Sequence, residues 1–420
     1  VFERAYLSNP SVAVRVLFWA RDIRGGSGER DTFRKLMLHM EARHPEVLSR
    51  VIHFVPEYGR WDDLLIFNTP RMKLQAYGII NRALRNGNGL AAKWMPRKGN
   101  IAAELRDYMN ETPKGYRKLL VNLTNVVEQK MCSNQWSEIN YSHVPSIASA
   151  RYQNTFNRRD ASRYTEYKQA LVDNKAKINA SAIYPHDVIK SLYMGDADVA
   201  RAQWNSLPNY LGDDFIIPMI DVSGSMECPV GGSKNLNCMD VAVSLGLYLA
   251  DKQTGAFNGM FLTFSANSKI RKLSGDIVDK VQHIRQSDWG MNTSLESAFT
   301  EILSVARNGN VPNNQMPRYL LILSDMEFDA ATRGSNPRAI DMARAMYNAA
   351  GYDLPKIVFW NLNARAGNVP VQFREEGTAL VSGFSPSILK TILAAKSFNP
   401  VDIMMDTVNS ERYLHIASAL

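Results

Sequence analysis

Cysteine is nearly absent. Three residues in 420, Cys132, Cys228 and Cys238, are too few for a disulfide framework and stand in no metal-like spacing. They read as free thiols of a reducing compartment. Histidine is thin as well: the seven residues at 39, 44, 53, 143, 186, 283 and 415 are scattered, and none lies beside a predicted strand-end site. That leaves no Cys–His pairing for nucleophilic chemistry. Long apolar runs are missing too. The longest mostly apolar stretch near the middle, Val241–Ala250, has ten residues, against about 18 or more for a membrane span. The opening VFERAYLSNP lacks the basic and then apolar layout of a signal peptide. No membrane partner is expected, and the place of work is the cytoplasm.

What is present is an ordinary globular composition, 45% hydrophobic and 21% charged, with a net charge of +8. The charge is unevenly shared. Residues 1–210 hold 31 Lys+Arg against 20 Asp+Glu, and residues 211–420 hold 18 against 21. A basic first half points to a polyanion partner. The two halves also differ in pattern. VAVRVLFWARDIR, ERDTFRKLMLHMEAR, PEVLSRVIHFV, RMKLQAYGIINRALRN, YRKLLVNLTNVVEQKM and ASRYTEYKQALV carry apolar residues at helical spacing, with Pro or Gly between many of them. Residues 1–210 therefore read as an all-α domain of helical repeats, HEAT-like, with a compact bundle as the alternative. After SLPNYLGDD the short apolar runs FIIPMI, GMFLTFS, RYLLILS and KIVFWNL alternate with helix patterns. Residues 211–420 read as a doubly wound α/β sheet, so the fold class is multidomain α and α/β.

In such a sheet ligands bind beyond the carboxyl ends of the strands. Three loops reach that edge with oxygen donors: Asp221, Ser223 and Ser225 after FIIPMI, Thr293 in WGMNTSL, and Asp325 after RYLLIL. Two carboxylates and three hydroxyls, without His or Cys, suit Mg²⁺ or Mn²⁺. An ion so held keeps an open position for a partner's carboxylate or phosphate. The alternative is that Asp221 and the serines only cap the following helix.

This pattern, Asp-x-Ser-x-Ser, a distant Thr, then Asp, resembles the metal-ion-dependent adhesion site of a von Willebrand factor A domain. The resemblance implies direct ligation by Ser223, Ser225 and Thr293, with Asp221 and Asp325 acting directly or through water. RDIRGGSGERDTF (21–33), YGRWDDLL (58–65), AAKWMP (91–96), CSNQWSEINYSHVPS (132–146) and SDMEFDAA (324–331) together look like one uncharacterised-domain family of eukaryotes, large DNA viruses and phages. That family is related to the Ro-type proteins, which join a TROVE module to a von Willebrand factor A domain. The implied architecture is a TROVE-like helical ring closed by the metal-site domain. The implied function is RNA binding, of single-stranded ends or a small structured RNA, in a ribonucleoprotein. For a viral source the compartment would be the host cytoplasm.

Two stretches have the composition for nucleic acid. KWMPRKGN sets Lys93, Arg97 and Lys98 around Trp94, and residues 151–168 cluster Arg151, Arg158, Arg159 and Arg163 with aromatics. A packed Trp with a solvated basic turn, and a solvated helix face, are the plainer readings. RDIRGGSGER joins two helices and fits no phosphate-loop pattern, so it reads as a tight turn. YGRWDDLL reads as structural. Enzymatic chemistry is not expected: Ser223 is in no Gly-x-Ser-x-Gly elbow, and a metal phosphodiesterase would bring more carboxylates. The rival to RNA binding is an assembly module whose metal captures a partner's carboxylate.

Overall fold

The computed structural model describes residues 1–124, 126–180, 183–194, 197–230, 236–263, 268–285, 295–325, 336–363, 378–382, 393 and 400–420. The chain forms two compact units. A helical unit takes Val1–Val144, Arg158–Ala161 and Met404–Leu420; a sheet unit takes Pro145–Asn157 and Ser162–Ile403. Among the described residues no helix is long and apolar enough to cross a membrane.

The helical unit begins with α1 (Phe2–Ser8), α2 (Pro10–Arg21), α3 (Arg30–Arg43), α4 (Pro45–Val51) and α5 (Val55–Tyr58). It continues through α6 (Pro70–Arg85), α7 (Gly89–Trp94), α8 (Asn100–Tyr108), α9 (Pro113–Leu123) and α10 (Val127–Cys132). Further along the chain come α11 (Ser146–Arg159), α12 (Ala161–Val172), α16 (Ile277–Arg285) and α19 (Pro400–Val408). Local chemistry sets several starts. Asn9, Thr69 and Thr112 each accept a hydrogen bond from a first-turn amide, and each precedes a proline whose missing N–H costs nothing there. The single helix expected over 116–131 is broken. Thr124 leaves the helical region, and the β-branched Thr124, Val126 and Val127 weaken helix propensity at that point. The RDIRGGSGER segment is indeed a turn: Ser27 donates to the Ala20 carbonyl at 3.1 Å, and a Cβ on Gly26 would lie 1.9 Å from the Trp19 carbonyl oxygen.

YGRWDDLL does more than pack. Asp63, fully buried in a 3-10 helix over Trp61–Ile66, accepts from Arg21 (2.8 Å), Arg34 (2.6 Å) and the Arg60 amide (2.9 Å). Arg60, Arg34 and Arg30 also reach Asp62. The closing helix α20 (Glu411–Ala417) returns to this unit, where Arg412 and Tyr413 bond the buried Asp22.

The sheet unit holds six strands in the order β3-β2-β1-β4-β5-β6. They are β1 (Ile216–Ile220), β2 (Met260–Thr263), β3 (Ile270–Lys272), β4 (Tyr319–Ser324), β5 (Lys356–Asn361) and β6 (Thr378–Ser382). Only β3 runs antiparallel. Alternation along the strands makes two apolar layers. Ile216, Ile220, Leu321, Leu323, Val358 and Trp360 pack with α15 (Cys238–Lys252). Ile217, Met219, Leu320, Ile322 and Phe359 pack with α17 (Leu295–Asn308) and α18 (Asn336–Ala350). Gly246 permits the close approach of α15, because a Cβ there would meet Ile220 Cδ1 at 2.5 Å. Helices covering both faces of a largely parallel sheet make this an α/β unit.

A division at residue 210 does not describe the compact units. Helices α13 (Pro185–Met194) and α14 (Ala197–Asn205) belong with the sheet: Val188, Trp204 and Leu207 share its core, and Trp204 donates to Asp251 on α15 at 2.7 Å. The change of pattern near 212 marks where strands begin, not where packing divides. Charge is shared less unevenly between the compact units than between the halves. The helical unit holds 25 Lys+Arg against 17 Asp+Glu, and the sheet unit 24 against 24.

Burial alone would raise the Asp63 carboxyl, but the Arg21 charge and the Arg60, Arg34 and Arg21 hydrogen bonds hold it below the usual carboxylate range. Its stabilisation is therefore complete above about pH 4, the unfolded value, and is lost as pH falls through the lower folded one. Asp63→Asn should cost about 3–5 kcal/mol at neutral pH, because Arg21 stays buried without its counter-charge. The gap from the parent should narrow toward pH 2. Urea unfolding read by hydrogen exchange in α2 checks both; equal stability at pH 7 would make the network incidental.

Candidate functional site

The parallel register pairs Ile220 with Leu323, so β1 and β4 end side by side and deliver Asp221 and Ser324–Asp325 to one edge. This lies where the strand order turns, with β2 to one side of β1 and β4 to the other. Asp221 is 2% exposed and Asp325 is 1% exposed, so the two carboxylates sit at the floor of the edge rather than on mobile loops. Asp221 Oδ2 accepts from Ser324 Oγ at 2.6 Å, and Oδ1 accepts from the Ser223 amide at 2.9 Å. Ser223 Oγ and Ser225 Oγ are 3.1 Å apart, and Ser225 Oγ donates to Asp325 Oδ1 at 3.2 Å. Four of the expected donors, Asp221, Ser223, Ser225 and Asp325, thus form one connected set. Thr293 lies outside the described residues.

Burial raises the Asp221 carboxyl above the usual carboxylate range, and the Asp325 charge adds to that. Hydrogen bonds from Ser324 and Ser223 offset it only in part. Two buried carboxylates with hydroxyls between them are a set of hard oxygen donors whose mutual repulsion a divalent cation would relieve. The residues fit Mg²⁺ or Mn²⁺. They do more than cap a helix: the Ser223 side chain makes no capping bond to the short 3-10 turn over Gly224–Glu227 that follows.

Sequence reasoning missed the second layer. Ser324 was visible only as the residue before Asp325, yet it holds Asp221. Cys228 Sγ lies 4.0 Å from Asp325 Oδ2, 3.3 Å from Cys238 Sγ and 3.1 Å from Asn363 Nδ2. The Cys238 amide donates to the Cys228 carbonyl, closing the 229–237 loop. A histidine also comes near this edge, contrary to expectation. His186, whose imidazole burial shifts below its usual range, lines a cavity of about 860 Å³ together with Val222, Lys190, Glu227 and Asp240. No sequence spacing relates residue 186 to residue 222.

The basic stretches are less unified. Lys93 and Trp94 end α7 and are half-buried, whereas Arg97 and Lys98 are exposed. Arg60 covers one face of the Trp94 ring at 4.1 Å, and Lys93 Nζ lies 5.8 Å from its centroid. Trp94 also packs against the helical core, as the plainer reading of this segment expects. The four arginines of 151–163 do not share a unit. Arg158 and Arg159 belong to the helical unit, and Arg151 and Arg163 to the sheet unit. Arg151, Arg158 and Arg159 are exposed and Arg163 is half-buried.

Two families match parts of the chain. Residues 216–415 match a family described as a domain of unknown function (DUF7788), and residues 90–213 match another so described (DUF2828). The matches meet where the strand pattern begins. The chain is also similar to an uncharacterised protein of Acanthamoeba polyphaga mimivirus, 28% identical over 467 aligned positions that cover 96% of this chain and 80% of that protein. No solved structure matches the chain.

The sulfur geometry is testable. A stoichiometric thiol oxidant should join Cys228 to Cys238, each sulfur losing one proton and one electron, and should leave the exposed Cys132 open to alkylation. Peptide mapping by mass spectrometry reads the outcome. A Cys132-linked dimer as the first product would contradict the assignment.

Proposed function

We propose that this chain is a non-catalytic RNA-binding protein whose sheet unit carries a Mg²⁺- or Mn²⁺-binding adhesion site. The observation that carries the RNA reading is that the whole net charge of +8 resides in the helical unit, while the sheet unit balances at zero. Lys and Arg that neutralise phosphates release counterions, a favourable term that needs no sequence recognition. The exposed Arg97 and Lys98, with Lys93 beside the half-buried Trp94, supply cations next to an aromatic ring, suited to a single-stranded end or the loop of a small RNA.

The metal reading rests on the Asp221, Ser223, Ser225 and Asp325 cluster. The strand order, the lone antiparallel β3 and donors leaving β1 and β4 support a von Willebrand factor A-like domain. The succession of short helices in the other unit supports a TROVE-like, HEAT-like repeat. The work is placed in the cytoplasm, in keeping with thiols rather than disulfides. Within the site, Asp221 and Asp325 would supply charge, Ser223 and Ser225 neutral oxygens, and Ser324 would hold Asp221 in place.

One observation favours a second reading, capture of a partner protein's carboxylate at the metal. The sheet unit has no excess of positive charge to draw a phosphate backbone, and Ser223 and Ser225 are only half-buried beside the buried carboxylates. The two readings are separable because they place the partner on different units.

Asp221→Asn keeps the shape and the bond from Ser324 but removes charge. Calorimetry should find Mg²⁺ or Mn²⁺ binding to the parent and none to the variant. The ion-free variant should be at least as stable, because a desolvated charge facing another has gone. Absence of divalent binding to the parent, even with acetate supplied, would leave only a hydrogen-bonded loop. For RNA, filter binding to mixed single strands should weaken steeply with salt. Replacing Lys93, Arg97 and Lys98 together should reduce the slope by up to about 2 log units per log unit of salt, at about 0.7 per contact. Asp221→Asn should leave the slope unchanged. Undetectable binding at low salt would favour the protein-partner reading.

A further inference from the structure

Two histidines that look isolated in the sequence meet in the helical unit. His39 lies on the last turn but one of α3. His44 falls between α3 and α4, with φ −135° and ψ 50°, and Pro45 after it keeps it out of the helix. Five residues apart on an unbroken helix the two rings would point about 140° away from each other. The break at His44 turns its ring back toward that of His39, with centroids 6.5 Å apart.

Glu3, in the first turn of α1, meets both. Its Oε2 is 2.6 Å from His39 Nε2, and its two oxygens are 3.1 and 3.2 Å from His44 Nε2. One ligand atom from each of the three residues falls within 4.8 Å of the others. Aromatic neighbours hold the rings: His44 packs at a tilt against Tyr6 with centroids 3.9 Å apart, and His39 stands edge-on to Phe2 at 6.1 Å. The side chains of Glu3, His39 and His44 are 36%, 35% and 17% exposed, open enough for an ion and a water to enter.

We propose that Glu3, His39 and His44 form a transition-metal site of zinc type, joining α1 to the α3–α4 junction. Two imidazole nitrogens and one carboxylate oxygen are a borderline donor set that zinc accepts, and three protein ligands leave the fourth tetrahedral position for water or a partner's donor. Zinc bonds of about 2.0–2.1 Å require donors about 3.4 Å apart. The Glu3–His44 separations already approach that, and rotation of partly exposed side chains closes the rest. This chemistry is distinct from the all-oxygen cluster of the sheet unit, which suits hard cations. The site therefore stands or falls independently of the proposed function.

The test uses the full chain without a histidine tag, carrying Cys132→Ser to remove the exposed thiol. Zn²⁺ is titrated against a chromogenic chelator, and Co²⁺ in parallel by its visible absorption. One tight equivalent is expected, with the intense Co²⁺ bands of a four-coordinate site, unaffected by excess Mg²⁺ or by Asp221→Asn. Glu3→Gln keeps an acceptor for the histidines at a partly exposed position and should fold normally. It should weaken Zn²⁺ by more than about 100-fold, beyond the loss typical of an outer partner. His39→Ala should do the same. Zinc affinity unchanged in both variants would overturn the proposal and leave a histidine–carboxylate clamp. Binding that is lost instead on Cys228→Ser or Asp221→Asn would overturn it as well.

Discussion

The sheet unit is organised around two carboxylates that the parallel register of β1 and β4 forces to the same edge. Asp221 and Asp325 leave water almost completely, and each is in the field of the other. A fold does not hold two such groups together for stability, since desolvation and repulsion both oppose it. What surrounds them reads as accommodation. Ser324 and the Ser223 amide bond one carboxylate, and Ser225 bonds the other. The apolar layers beneath, with Gly246 drawing α15 onto Ile220, fix the strand ends on which the arrangement depends. Residual unfavourable charge at a rigid floor, with half-buried hydroxyls beside it, is the condition under which a divalent cation gains most.

The helical unit handles buried carboxylates in the opposite way. Asp63 is met by Arg21, Arg34 and the Arg60 amide, and Asp22 by Arg412 and Tyr413, so each acid has more donors than charge. These acids are satisfied from within and offer nothing to a ligand. Their network spends arginines internally: Arg60 pairs with Asp62 and also lies over Trp94. The cations left for a partner are therefore fewer than the +8 excess suggests. Arg97 and Lys98, exposed in the loop after α7, stand closest to that description.

Much of this was legible in the chain because continuous apolar runs and helical spacing map directly onto buried strands and amphipathic helices. FIIPMI, RYLLILS and KIVFWNL are strands, and ASRYTEYKQALV is a helix over the same residues. Strand β3 was missed because IRK is a short, largely exposed edge with no apolar run, and β6 because TALVS is brief. Donors one residue beyond a strand were found because strand ends fix them. Ser324, Cys228 and His186 were not, because their roles come from neighbours 103, 97 and 36 residues away. The packing of α13 and α14 on the sheet was not legible for the same reason. Helical spacing in α13 and α14 reports a helix, and nothing in it reports which apolar surface covers that helix.

Charge separates the two candidate partners further. A phosphate approaching the sheet unit would meet 24 cationic and 24 acidic side chains, with no net field to draw it and a carboxylate pair at the site. Neutralising that pair with one divalent cation leaves a local charge near zero, so a further anion is held by direct ligation and not by steering. Ligation rewards a single, well-placed carboxylate or terminal phosphate more than a long backbone. A backbone gains most from dispersed cations that each release a counterion. Under the proposed function, extended RNA would therefore engage the helical unit, and a compact anionic group would be the better match for the metal.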